Sequence, residues 1–462
     1  MIGLTFDDVL KSTKGSVYIH KGEVFFNKIN SDTRNIECQS IFIALKGNNF
    51  NGNHFVEEAL SKGASLCIVD EVTFDKEDII KNHDNFAIIK VQDCRRALLD
   101  MAKYKRENMN IKVIGITGST GKTTTKDMVA ASLGDKFKVF KTKGNFNNEI
   151  GLPLMILEMD SAYEIAVLEL GMNNLNEIHN LAEVAKPDIA LITNIGISHI
   201  ENLKTKDNIL KAKMEITDFF NKDNTLIINA DDPMLSHIHN EGYDIIKTSI
   251  LNDNSDFKAE EIVLKEDSSE FSLIYKKTSL GKIILPVPGI HNIQNALLAI
   301  SCAYLMGVDK EKIAKGLNNL EISSMRLDVI KGKSLDIIND CYNASPDSMK
   351  AAIDVQCNLN ASRKVAILGT MKELGDYAYE AHKQIGDYAR IRDIDVIVAV
   401  GDFSNAIAEG YGNEGCVFLF KDTEEALNNI DKIIKKGDLV LVKASRSMKF
   451  ELIIENLKRI YN

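Results

Sequence analysis

The chain has 462 residues, 45% hydrophobic and 26% charged, with a formal net charge of -10. That length predicts about three domains, each with its own core, and the acidic balance excludes a general binder of nucleic acid or anionic membrane, so any Lys or Arg that meets phosphate must do so locally, in a pocket. The N-terminus lacks a basic segment with an apolar core, no stretch reaches membrane-span length, and the seven scattered cysteines form no C-x-x-C pair, which predicts a cytoplasmic protein without zinc or disulfides.

Residues 1–105 read as a first α/β unit, with strands at 40–45, 66–69 and 86–89 around one helical stretch at 56–62. It carries Ser31-Asp32-Thr33-Arg34 and a Gly/Asn-rich loop that starts at Lys46-Gly47 and runs to Phe55. Such a loop with an Arg nearby suits an anionic ligand, although an ordinary polar loop has the same composition.

A basic helix at 95–106 leads into a second unit, 106–320, where strands and helices alternate as a doubly wound parallel sheet demands. The apolar run 113–116 enters Thr117-Gly118-Ser119-Thr120-Gly121-Lys122-Thr123-Thr124-Thr125, and a helical pattern follows. Glycines 118 and 121 let backbone N–H groups turn inward around a polyphosphate, Lys122 supplies a point charge and Thr123 offers a hydroxyl to Mg2+. The fit to G-x-x-x-x-G-K-[ST] is imperfect, because Ile116 stands six before Lys122. Further strands at 165–168, 189–192 and 226–228 end in Glu169, in Thr193-Asn194 followed by His199, and in Asn229 and Asp231. In open α/β sheets ligands sit at that edge, so Glu169 and His199 are expected beside Lys122 and Thr123, where they can hold Mg2+ on a triphosphate. After a strand-like, charged stretch at 250–287, Gly289 opens an alanine-rich helix; Asn292 and Asn295 share its first-turn face, where they can cap the helix or read an adenine edge.

The third unit, 321–462, again alternates, with strands at 334–339, 365–368, 396–400, 417–420 and 439–442. It has no phosphate loop of its own. With Arg326, Asp340, Lys443 and Arg446 near its start or strand ends, it reads as a lid that brings charge and a second substrate to the first site.

Taken together, these motifs resemble the ATP-dependent Mur ligases of peptidoglycan synthesis along the whole chain. The family-level matches are 117–123, Glu169-Leu170-Gly171-Met172-Asn173, Thr193-Asn194-Ile195-Gly196 with His199 and Glu201, Ala212-Lys213, and Gly289 with His291, Asn292 and Asn295. Tyr342-Asn343-Ala344-Ser345-Pro346, Met371 with Glu373-Leu374-Gly375 and His382, and Lys443-Ala444-Ser445-Arg446-Ser447-Met448 are similar to the branch that adds D-alanyl-D-alanine. Ser345, Thr370, Ala444 and Met325 depart from that branch's usual Asn, Asp, Gly and Gly and bear on acceptor choice; a branch adding a single amino acid is the alternative.

The resemblance implies a UDP-binding first domain (Ser31, Asp32, Thr33, Arg34, Lys46, Gly47), a central P-loop ATPase domain and a Rossmann-like C-terminal domain. It implies ATP on residues 117–124 with Asn292, Asn295, Arg326 and Asp340, and D-Ala-D-Ala near Tyr342, Asn343, Ser345 and Arg446. Catalysis falls to Lys122, Asn148, His199, Lys213 and Arg326, with two Mg2+ ions on Thr123, Glu169, His199 and Lys213. The reaction implied is ligation of UDP-MurNAc-tripeptide to D-Ala-D-Ala through an acyl phosphate, by a cytoplasmic monomer.

Lys213 has its own argument. Ile209, Ala212, Ile216 and Phe220 recur at helical spacing, and Lys213 falls on that inward face. Desolvation there lowers a lysine pKa and exposes a neutral amine able to take up CO2. Matching lysines in several Mur relatives are carbamylated; the alternatives are that Lys213 snorkels to solvent or pairs with Glu201 or Glu169.

Overall fold

The computed structural model describes residues 3–321, 325–412 and 414–461; the outermost ends of the first and third expected units, residues 1, 2 and 462, lie outside them. Three sheets organise the described chain. The first has five strands in the order Ser16–Lys21, Phe86–Lys90, Ala64–Val69, Ser40–Ile43, Lys28–Asn30, all parallel except the first pair. The expected strands are there, but the single helix at 56–62 was too few: Phe6–Thr13 and Lys76–Asn82 are helical as well. Both are short and begin on side-chain caps, Thr5 and Asp75, so end chemistry holds them where their apolar stripe is thin.

Helix Cys94–Glu107 bridges to the second sheet. Leu98, Leu99, Met101 and Ala102 on it are buried in a core continuous with Leu152 and Ile156 of helix Gly151–Glu158. Its Lys105, also buried, donates to the carbonyls of Leu157 (2.7 Å) and Met159. Burial with no carboxylate hydrogen-bonded to it lowers the Lys105 pKa to about 8.

The second sheet has nine strands. Third from one edge, β1 (Lys112–Thr117) is flanked by β2 (Ile165–Glu169) on one side and β3 (Ile189–Ile192) on the other, so the strand order switches direction there. These strands are buried on both faces, which is why they read as unbroken apolar runs. The sheet is parallel through Asp244–Ser249 and Phe257–Leu264 and then turns antiparallel: Phe257–Leu264, Ser269–Tyr275 and Thr278–Leu285 form a meander at one edge, which the doubly wound parallel reading did not contain. Helices α1 (Lys122–Leu133), α2 (Lys206–Met214) and α3 (Ile290–Leu305) supply site residues around the switch point.

The third sheet has six strands. In chain order β4 (Asp336–Asn339), β5 (Arg363–Gly369) and β6 (Asp438–Lys443) form its centre, with β6 between the other two; Val396–Val400 and Val417–Phe420 continue past β5, and an unforeseen short strand, Asp328–Ile330, pairs antiparallel with β4. Among the described residues no cysteine is in a disulfide. No helix of the described residues is long and apolar enough to cross a membrane.

Candidate functional site

The strand register sets the depth of each functional group. Glu169 at the end of β2 lies opposite Ile116, and Ile192 at the end of β3 lies opposite Thr117, so Glu169, the 118–121 loop and Thr193 leave the sheet at one level. The loop backbone requires glycine twice. Gly118 has φ +150, and a Cβ there would stand 1.8 Å from Thr193 Oγ1; Gly121 has φ +79, and a Cβ would stand 2.7 Å from Asn295 Oδ1. The segment after β3 holds the loop open: Asn194 Oδ1 accepts from the Thr120 N–H (3.0 Å), its Nδ2 donates to Thr120 Oγ1 (2.7 Å), and its carbonyl accepts from the Ser119 N–H (3.0 Å).

Lys122 and Thr123 form the first turn of α1. Lys122 Nζ donates to the loop's own Gly118 carbonyl at 2.7 Å, and burial depresses its pKa. Thr123 Oγ1 donates to Glu169 Oε2 at 3.2 Å. The other carboxylate oxygen, Oε1, is buried and makes no hydrogen bond, although Lys126 Nζ is 3.3 Å away. Lys126 is a buried residue that the sequence reading missed; it stands four after Lys122 on the same helix, and that spacing was the available signal.

His199, in the left-handed region at φ +63, lines the same cavity, as does Lys213 of α2. Lys213 is 1% exposed, and among the described residues no carboxylate lies within ion-pair distance of it, Glu201 and Glu169 included. Burial, and then the charge of Lys122, push its pKa well below the usual lysine range. No group of three or more His, Cys, Asp or Glu among the described residues could cage a metal alone. A threonine hydroxyl, one carboxylate with an unsatisfied oxygen and a histidine instead fit Mg2+ that takes its remaining ligands from phosphate.

Asn148 Oδ1 accepts from the N–H groups of Ile150 (3.2 Å) and Gly151 (2.8 Å), which starts helix Gly151–Glu158 and fixes Asn148 at the cavity wall. Asn292 and Asn295, buried on the first turns of α3, line the opposite wall; Asn292 Nδ2 donates to the Pro288 carbonyl (2.7 Å). His291 between them and the third sheet is held neutral, its pKa lowered by burial to about 4.

The third sheet closes over this wall, and the cavity between them, about 750 Å³, is of ligand size. Arg326 stacks on the Tyr342 ring, its guanidinium carbon 4.2 Å from the centroid. Asp340 pairs with Lys443, accepts from the Leu327 N–H, and lines the cavity. Lys443 Nζ also donates to the Asn343 carbonyl (3.0 Å), and Ser345 is the N-cap of helix Pro346–Asn358. Tyr342, Asn343 and Ser345 all face the cavity. Glu373 Oε2 reaches His199 Nδ1 at 2.5 Å, and that contact depresses the Glu373 pKa.

Other expected residues lie elsewhere. Thr117 is fully buried beneath the loop. Arg446 is turned to Glu451 (3.2 Å) and Met325 Sδ, outside the cavity lining, while Ser445 and Lys372 face in. Ser31, Asp32, Thr33 and Arg34, at a 3-10 turn, and Lys46 and Gly47, in a two-stranded ribbon with Phe50–Asn51, belong to the first unit and do not line this cavity. There the exposed Arg34 guanidinium pairs with Asp32 (2.7 Å) and holds its carboxyl at about 2, and Lys46 pairs with Asp70 (3.0 Å) and Glu71 (3.2 Å). Asn53, buried and overlooked from sequence, organises that loop by donating to Asp70 Oδ1 (2.8 Å).

Comparison with known proteins fits this geometry. Residues 116–303 match the Mur ligase middle domain, and residues 325–446 match the Mur ligase, glutamate ligase domain. The chain is 38% identical, over 99% of both sequences, to the UDP-N-acetylmuramoyl-tripeptide--D-alanyl-D-alanine ligase of Bacillus subtilis strain 168. Among solved structures it is similar to MurF from Acinetobacter baumannii, with a TM-score of 0.89 and 32% identity over 98% of each chain. It is also similar to MurF ligase from Thermotoga maritima in complex with ADP, with a TM-score of 0.81 and 28% identity over 94% of this chain and 97% of that one.

Proposed function

Since this chain belongs to the Mur ligase family, we propose that it is an ATP-dependent ligase joining D-alanyl-D-alanine to UDP-N-acetylmuramoyl-tripeptide in peptidoglycan precursor synthesis. The observation that carries this is one cavity lined both by the phosphate loop with Glu169 and His199 and by Tyr342, Asn343 and Ser345 of the third sheet. Residues 1–105 would hold the UDP end of the substrate through Ser31 to Arg34, Lys46 and Gly47, residues 106–320 ATP, and residues 321–462 the amino acceptor.

In the first step a carboxylate oxygen of the tripeptide bonds to the γ-phosphorus as its bond to the β-phosphate oxygen breaks, which releases ADP and leaves an acyl phosphate. The acceptor amine then attacks the acyl carbon, loses a proton, and phosphate departs. Carboxylate and triphosphate repel, so the residues must supply positive charge. Lys122 swings from the Gly118 carbonyl to the phosphates, and Arg326, held by Tyr342, faces Lys122 from the lid. Mg2+ held by Thr123 and Glu169, with a second ion near His199, would neutralise the charge that develops on the transferred phosphoryl group. Asn148 at the cavity wall would donate to the intermediate, Asn292 and Asn295 would read adenine, and Asp340 the ribose. The third sheet, packed over the cavity, would exclude water from the acyl phosphate.

Lys213, buried without a carboxylate, supports a carbamate: its neutral amine would add CO2 with formation of an N–C bond and loss of a proton, and the new charge would help hold the second ion. Lys213→Ala should lose activity and partly regain it with added short carboxylic acids; full activity without them would overturn this role. The enzyme is expected to act in the cytoplasm as a monomer. The decisive assay is ADP release with UDP-MurNAc-tripeptide and Mg2+, in which D-Ala-D-Ala yields far more amide product than L-lysine or glutamate. A preference for a single amino acid would assign the chain to another branch.

A further inference from the structure

The third sheet reaches the second at a narrow seam beside the metal residues. Glu373, in the loop after β5, sets Oε2 2.5 Å from His199 Nδ1, and its carbonyl accepts from the Glu201 N–H at 3.2 Å. Gly375 lies against the Glu201 backbone. Glu373 (φ +65) and His199 (φ +63) both hold the left-handed backbone that non-glycine residues rarely adopt, and they do so facing each other across the seam. The loop that carries Glu373 is pinned from behind. The Met371 N–H donates to Nε2 of the fully buried His382 (2.8 Å), whose Nδ1 is 2.6 Å from the Ala378 carbonyl, and the Lys372 N–H donates to Ser445 Oγ (2.9 Å). The acceptor role of Nε2 and the donor role of Nδ1 fix a neutral His382 and aim the loop at His199.

A carboxylate packed 2.5 Å from one imidazole nitrogen restrains the ring and leaves the other nitrogen's lone pair for a metal. We propose that Glu373 is a positioning residue: it orients His199 for the second Mg2+ and, because it comes from the lid, makes lid closure and binding of that ion one linked equilibrium. This rests on the reading of His199 as a metal ligand. Linkage then requires that Mg2+ promote closure by the same factor by which closure tightens Mg2+.

The test uses the full chain saturated with a non-hydrolysable ATP analogue. Mn2+ binding is counted by electron paramagnetic resonance, and closure is followed by small-angle X-ray scattering along a MgCl2 titration. Glu373→Ala should weaken the second Mn2+ about tenfold, leave the first unchanged, and raise the Mg2+ concentration for half-closure by a similar factor. Glu373→Gln, which keeps the side chain's length and an oxygen facing Nδ1, should retain most of the affinity. In a His199→Ala background Glu373→Ala should add nothing. An unchanged second Mn2+ in Glu373→Ala, with loss in His199→Ala, would overturn the proposal and leave His199 a ligand; two tight ions in His199→Ala would overturn the ligand reading itself. Equal loss in the Ala and Gln variants would reduce the contact to a charge tether and also overturn the positioning role.

Discussion

Lys122→Ala separates the phosphate-loop chemistry from the fold. In the structure Nζ makes one hydrogen bond, 2.7 Å to the Gly118 carbonyl, worth about 1 kcal/mol net. Its removal also relieves the charge that Lys122 imposes on buried Lys213, an effect of opposite sign. Stability should therefore change by no more than about 1 kcal/mol, or about 2–4 °C in thermal midpoint for units of this size. Activity should respond far more. A preorganised cation aimed at developing phosphoryl charge in a water-poor cavity contributes roughly 3–4 kcal/mol to the transition state, so kcat/KM should fall on the order of 10²–10³-fold. Phosphate release with both substrates present, beside circular-dichroism melting of the same sample, gives both readings. A folded Lys122→Ala enzyme within about tenfold of wild-type kcat/KM would refute the assignment of Lys122 to the transferred phosphoryl group.

Two further outcomes follow from the geometry. Gly121→Ala forces an L side chain to φ +79 with its Cβ 2.7 Å from Asn295 Oδ1, at a cost of about 1–2 kcal/mol; calorimetry should show ADP·Mg2+ bound roughly tenfold more weakly, and undiminished affinity would contradict the loop geometry. His291 has a folded pKa of about 4 against 6.5 unfolded, so between those values the unfolded chain binds the extra proton. Its contribution is complete above pH 6.5 and is lost as pH falls, by about 2 kcal/mol at pH 5. His291→Gln should therefore lose less stability than wild type between pH 7 and pH 5 in denaturant titrations, and parallel losses would contradict a neutral His291.

The sequence by itself determined the features set by local or periodic rules. Parallel strands buried on both faces, such as 113–116 and 165–168, are continuous apolar runs. The glycines of the phosphate loop are required by its backbone, and the burial of Lys213 follows from helical spacing with Ile209 and Ile216. Helices Phe6–Thr13 and Lys76–Asn82 escaped because caps rather than long apolar stripes define them; the stretch 250–287 was legible as strand-like, but its antiparallel pairing onto the second sheet was not, because strand direction leaves no mark in a half-exposed pattern. Tertiary structure alone decided which groups meet, within one unit or across the seam. Glu373 faces His199, Lys443 takes up Asp340, Lys126 backs Glu169, and Arg446 turns away to Glu451. These pairings depend on the order of strands within a sheet and, for Glu373 with His199, on how two sheets dock, and a polar residue at a strand end has the same sequence signature whether it points into the cavity or along its rim.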